Sequence, residues 1–137
     1  MCETEKTDDK LLKIAKELFL SMEMHIKEMN ADEHDKHIAY VSHLSHISSF
    51  MLGKTVLEKE KNEKDIFDLA GSGFASTVRL AKSSPAMWSP IFKQNKENVL
   101  ETLTEYIQNL NEFKNLMEQD DFEKLYEEMA NTNHIKN

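Results

Sequence analysis

The chain has 137 residues, 39% hydrophobic and 31% charged, with a formal net charge of −8. That suits one ordinary helical or mixed domain able to bury roughly two-thirds of its surface, and the negative charge argues against nucleic acid or anionic membrane as a partner. Cys2 is the only cysteine, glycines and prolines are few, and the acidic N-terminus holds no signal-peptide apolar region. A disulfide framework, a turn-rich β fold and a membrane span of ~18 apolar residues are thus excluded, and a cytoplasmic chain of long helices is expected.

In chain order, Leu11, Ile14, Ala15 and Leu18 recur at helical spacing and predict a helix over 10–20. Met22, Met24 and Ile26 then alternate with Glu23, His25 and Lys27, which predicts a strand over 22–28. One strand cannot satisfy its own backbone. Residues 1–29 therefore read as a piece of an α/β layer belonging to a larger protein, the alternative being a self-contained protein with a decorated N-terminus. From Asp32 to about Glu58 the pattern predicts a long helix with Asn30 or Asp32 near its cap. Its apolar residues, Ile38, Val41, Leu44, Ile47, Phe50, Met51 and Leu52, surround most of the circumference, so it should be central and largely buried. The same stretch carries His34, His37, His43 and His46, with acids at 32, 33 and 35. At 100° per residue the first histidine pair points away from the second, so four metal ligands cannot converge from this helix and no metal is expected. His34 and His37 should instead donate to a carboxylate or a backbone group.

Lys54 to Lys64 is a solvated, charged helix end, and Asp65 to Ala70 reads as a short buried helix stopped by Gly71. Gly71-Ser-Gly73 follows a helix rather than a strand, so it is no dinucleotide fingerprint, and its glycines should permit close approach of backbone to a ligand or helix. A helix over Phe74–Lys82 would bury Phe74, Val78 and Ala81 and place Ser76, Arg79 and Ser83 on one polar face. Arg79 is the only arginine, a planar fork where every other basic residue is a lysine. Ser84 and Pro85 should start the next helix, which carries Trp88, the only tryptophan. A guanidinium, hydroxyls and an indole at one corner suit a carboxylate on a small ring. Asn95–Glu118 is the clearest helix, with a seam of Val99, Leu103, Tyr106, Leu110, Phe113 and Met117. Phe122, Leu125 and Met129 mark a last helix after Asp120-Asp121, and residues 131–137 should fray.

The spacing G-x-G-F-x-x-T-x-R-x-A-x-S-x-P-x-x-W over 71–88 resembles the C-terminal helical domain of prephenate dehydrogenases. Asp32-Glu-His-Asp35, Val41-Ser-His-Leu-Ser-His46 and Asn95-Lys-Glu-Asn-Val-Leu100 agree, so the resemblance covers roughly 30–118. It implies an all-α dimerisation domain of about five to six helices over 30–137, preceded over 1–29 by the last helix and strand of a nucleotide-binding domain. It also implies oxidative decarboxylation of prephenate to 4-hydroxyphenylpyruvate with NAD or NADP, in tyrosine biosynthesis. In the family the general-base histidine and the glycine-rich loop belong to the nucleotide domain. No catalytic or cofactor-binding residue is therefore expected in this chain, and alone it should be inactive. What remains is the substrate side: Arg79 as carboxylate clamp, Ser42, His43 and His46 from the active-site run, and Ser83 and Trp88 lining the pocket. Ser45 replaces the family's usual proline and should straighten the helix locally, and Ser76 replaces a frequent acid. A homodimer burying the Val99–Met117 seam and part of the Ile38–Leu52 helix is expected. Prephenate against a related cyclohexadienyl carboxylate such as arogenate, NAD against NADP, and tyrosine as an inhibitor stay open. The rivals are a helical dimerisation module without chemistry and a metal-dependent hydrolase built on His34 and Asp35.

Overall fold

In the computed structural model, which describes residues 1–135, the elements are helices and turns, with no strand among the described residues. Helix α1 (Asp9–Ser21) begins where the Asp8 carboxylate accepts from the backbone amides of Lys10 and Leu11, 3.0 and 3.2 Å away. Its Leu11, Ile14 and Leu18, at i, i+3 and i+7, are all more than half exposed, a stripe left uncovered. The strand expected over 22–28 is not formed. The segment makes two backbone bonds to the N-terminus instead: the Met1 ammonium donates to the Lys27 carbonyl (2.6 Å), and Met29 N–H donates to the Met1 carbonyl (3.2 Å). A ladder needs a neighbouring strand, and the described residues provide none.

Asn30 caps α2 (Ala31–Ile38) by accepting from Glu33 N–H at 2.7 Å. The helix then continues through a wide π turn at Ala39–His43 into α3 (Leu44–Glu60), the Leu44 amide reaching back five residues to the Ala39 carbonyl. Ser45, the residue expected to straighten the helix, lies just past the wide turn, in the α-helical part. Ser45 Oγ donates to the Val41 carbonyl (3.0 Å) and His46 Nδ1 to the Ser42 carbonyl (2.9 Å), so side chains supply donors to carbonyls of the widened turn. Nor is this long helix largely buried. Only Ala39, His43 and Ser49 are buried in it, while Val41 is 72% and Met51 51% exposed.

The helix expected over 74–82 is broken. It becomes α4 (Ser72–Thr77) and a 3-10 turn at Arg79–Lys82, joined at Val78 (φ −90°, ψ 5°). The cause is Ser49 on α3. Its hydroxyl donates to the Thr77 carbonyl (2.9 Å) and accepts the Ala81 N–H (3.0 Å), the two groups that an unbroken α-helix would pair with each other. Residues 67–69, expected in a short helix, make one 3-10 turn after Asp65, whose φ is 79°. Gly71 and Gly73 face no atom of the chain within 4 Å of a built Cβ, so the close approach expected of them is not to this chain. At Gly53 a Cβ would meet the Ala81 Cβ at 3.5 Å, an ordinary contact distance. Ser84 precedes α5 (Pro85–Gln94) with proline at the first helical position, although its hydroxyl makes no cap bond.

Helix α6 (Lys96–Glu118) follows Asn95 and crosses from a first compact unit, Met1–Val99, into a second, Leu100–Asn137. Within the second unit the chain reverses at Asp120 (φ 56°), and the Asp121 carboxylate accepts from Lys124 N–H to start α7 (Phe122–Thr132). Leu116 and Leu125 are buried in this unit. Of the seam residues expected to be covered, Leu110 and Met117 are half exposed and Phe113 is exposed too, because a single antiparallel neighbour covers only one face of α6. Of the residues 131–137 expected to fray, Asn131 and Thr132 are still in α7, and the amides of Asn133, His134 and Ile135 donate to the Ala130, Asn131 and Thr132 carbonyls. Residues 136 and 137 lie outside the described residues.

Ala39 is fully buried at the wide turn. Ala39→Leu is expected to cost about 1–3 kcal/mol by overpacking. The urea midpoint should fall at constant slope, and an unchanged midpoint would mean that the turn has room.

Candidate functional site

The wide turn brings two histidines and one indole together in the first unit. His46 stacks on Trp88 with ring centroids 3.6 Å apart and planes 28° from parallel. His43 meets the same indole edge-on at 5.9 Å, and Phe92 lies against both rings. The end of the wide turn, the first turn of α3 and one turn of α5 therefore supply the cluster, and Ser42 contributes its carbonyl to His46.

The hydrogen bonds decide both tautomers. A carbonyl only accepts, so His46 Nδ1 carries hydrogen and its Nε2 is the ring's acceptor when neutral. The Asn95 amide, between α5 and α6, donates from Nδ2 to the Asp35 carbonyl (2.7 Å) and lies 3.3 Å from His43 Nδ1. Its Oδ1 accepts from Asn98, which leaves the amide's second hydrogen for His43 Nδ1. His43 is thus an acceptor at Nδ1 and a donor at Nε2. Burial first pushes its pKa below the ordinary 6.5. Asp35 pulls it up, and His46 and His34 push it down. Trp88 is buried, and its Nε1 has no hydrogen-bond partner among the described residues, an unmet donor.

Arg79 and Lys82 sit on the 3-10 turn next to α3, both exposed. Neither has an ion pair or a side-chain hydrogen bond among the described residues, despite a chain charge of −8. Ser83 is half-buried at the end of that turn. The structure thus joins Ser42, His43, His46 and Trp88 directly, whereas no direct bond links Arg79 or Ser83 to the ring stack. A groove of about 480 Å³ beside Trp88 is lined by Ile47, Phe50, Met51, Lys54 and Pro85, and not by Arg79. Two residues of the site escaped the sequence reading, Asn95 and Ser49. The signal for Ser49 was a polar Ser48-Ser49 pair inside an apolar helical stretch, and for Asn95 its place at a helix junction.

His34 Nδ1 lies 3.0 Å from the Asp35 carboxylate on the exposed side of α2, as expected for a histidine paired with an acid. Among the described residues no three His, Cys, Asp or Glu gather as metal ligands. No helix there is long and apolar enough to cross a membrane.

Residues 30–131 match the family model of the prephenate dehydrogenase dimerization domain. A prephenate dehydrogenase of Bacillus subtilis (strain 168) is 32% identical over 126 residues, 89% of this chain and 33% of that protein. The crystal structure of prephenate dehydrogenase from A. aeolicus in complex with hydroxyphenyl propionate and NAD+ superposes with a TM-score of 0.85 at 35% identity. It covers 96% of this chain and 46% of its own. Synechocystis arogenate dehydrogenase gives 0.76 at 26% identity, over 95% and 48%. The chain thus spans about a third of the curated relative and about half of each solved chain.

The lowered His43 pKa sets a sign for pH dependence. Between the folded value and 6.5 the unfolded chain binds a proton that the folded chain refuses. Stability from this group is complete above 6.5, falls as pH drops below it, and levels off below the folded value. Melting temperature is therefore expected to fall from about pH 7 to about pH 5, less steeply in His43→Asn. Imidazole NMR titration checks the cause, and a His43 midpoint at or above 6.5 would contradict it.

Proposed function

Because the chain belongs to the prephenate dehydrogenase family, as its dimerization domain, we propose that it supplies the substrate-side wall and the dimer interface of such an enzyme. The reaction is the oxidative decarboxylation of prephenate, or of its near relative arogenate, in a cytoplasmic tyrosine-forming route. The observation that carries this reading is the unpaired Arg79 guanidinium. In a chain with 25 acidic residues, its one arginine pairs with none of the described ones. A planar fork kept out of internal salt bridges can make two parallel N–H···O bonds to a substrate carboxylate. His46 offers Nε2 as acceptor toward a ring hydroxyl, with Trp88 stacked behind it to hold the imidazole plane. Ser42 and Ser83 flank this wall, and neutral His43 holds the cluster's inner edge.

The described residues do not fit a nicotinamide nucleotide. Gly71 and Gly73 follow a 3-10 turn and open a helix of six residues, without the strand that a phosphate loop needs. We place NAD or NADP, the general base and the hydride transfer with residues other than these, so this chain alone is expected to be inactive. Residues 1–29 are then the last layer of a nucleotide domain. The bare stripe of Leu11, Ile14 and Leu18 supports that reading, as does the 96% coverage in the A. aeolicus superposition. Tyrosine, a small aromatic carboxylate, would meet the same wall as an inhibitor.

Two measurements test the reading. Arg79→Lys is expected to weaken binding of hydroxyphenyl propionate about tenfold at an unchanged melting temperature, since the ammonium loses the bidentate geometry. An unchanged dissociation constant would remove Arg79 from the site. For the interface, a two-fold dimer is expected to bury the exposed Leu110, Phe113 and Met117 of α6 and part of α3. Light scattering at tens of micromolar should report a dimer, and Leu110→Asp should shift it to monomer. A wild-type monomer would count against this interface.

A further inference from the structure

We propose that Ser49 is a positioning residue for Arg79. Its hydroxyl replaces one rung of a helix and so sets the direction in which the guanidinium is presented. The proposal rests on the reading of Arg79 as the carboxylate clamp.

An unbroken helix from Ser72 onward would pair Ala81 N–H with the Thr77 carbonyl. Ser49 Oγ stands between those two groups, donating to the carbonyl at 2.9 Å and accepting from the amide at 3.0 Å. Ala81 N–H also reaches the Val78 carbonyl at 3.0 Å, the shorter 3-10 bond. Ser49 itself is buried, at 2% exposure, although both bonds are only part-buried. The insertion leaves Val78 with ψ 5° in place of the helical −42°, and Arg79 is the next residue. A 3-10 turn also advances about 20° more per residue than an α-helix. The side chains of 79–82 therefore leave the backbone in different directions from those of a continuous helix.

Two further features make this direction matter. Gly53, one helical turn beyond Ser49, faces Ala81, and a Cβ on it would lie 3.5 Å from the Ala81 Cβ, ordinary contact distance, so the 79–82 turn sits against α3 here too. Arg79 itself has no ion pair among the described residues to steer it, so the backbone direction at 79 sets the region its side chain can sweep.

Removing the hydroxyl need not unfold anything. In Ser49→Ala the Thr77 carbonyl and the Ala81 amide can pair with each other, so the rung heals and the turn becomes α-helical. The test is a titration of the 137-residue chain with hydroxyphenyl propionate, read by backbone NMR, for wild type, Ser49→Ala and Arg79→Gln. Ser49→Ala is expected to keep a melting temperature close to wild type and to move the backbone shifts of 79–82 toward α-helical values. Its affinity should fall about tenfold, the loss expected of one misdirected charge-assisted bond. A merely fastening serine would lower the melting temperature and leave the affinity alone, and that result overturns the proposal. So does an Ser49→Ala variant whose 79–82 shifts are unchanged, even if wild type does not bind the probe. An Arg79→Gln variant that binds like wild type sinks the clamp reading separately, whatever Ser49→Ala does.

Discussion

One buried hydroxyl ties the Arg79 turn to the long helix of the first unit. Ser49 on α3 satisfies a carbonyl and an amide that α4 and the following turn would otherwise have paired between themselves. Ser49 itself is 2% exposed, and Ala81 N–H divides between its hydroxyl and the Val78 carbonyl. The break after Thr77 and the attachment of the Arg79 turn to α3 are therefore one feature seen from two sides. The bond that ends the helix is also the bond that ties it down.

A second departure from regular helix sits on the same rod, ten residues earlier. The wide turn at Ala39–His43 inserts one extra residue per turn, and its carbonyls take donors from Ser45 and His46. His46 is thereby held by its own backbone on one ring nitrogen and by the Trp88 face on the other side of its plane. His43, one turn nearer the N-terminus, is held through Asn95, which ties it to the Asp35 carbonyl as well. Each imidazole has one nitrogen committed to structure, which leaves a known tautomer at the other. Both π-turn bonds are local, made between residues four apart on the same helix.

The chain leaves much apolar surface bare: the α1 stripe, Val41 and Met51 on the long helix, and the outer seam of α6. A stripe at helical spacing states that a face will be covered and says nothing of what covers it. For α1 the covering layer we propose is a nucleotide domain. For α6 it is a second copy, in keeping with a family whose domain is named for dimerization.

What was legible in the sequence was whatever depends on neighbours along the chain. Apolar spacing at three and four residues located α1, α3, α6 and α7, the Ser84-Pro85 pair located the start of α5, and the motif over 71–88 carried the family. Asn30 as a cap and Asp121 before the last helix follow from the same local chemistry. Tertiary structure alone decided the rest. A strand over 22–28 needs a neighbour to pair with, and alternating side chains cannot create one. The helix over 74–82 satisfied every local rule, and broke because a hydroxyl 28 residues earlier in sequence competes for its Thr77 carbonyl. Ser45 in place of proline restores an amide hydrogen, yet the wide turn lies just before it, where Ala39 is buried and His43 and His46 pack on Trp88. Periodicity reports bonds between residues four apart. A bond between elements far apart in sequence leaves no period to read.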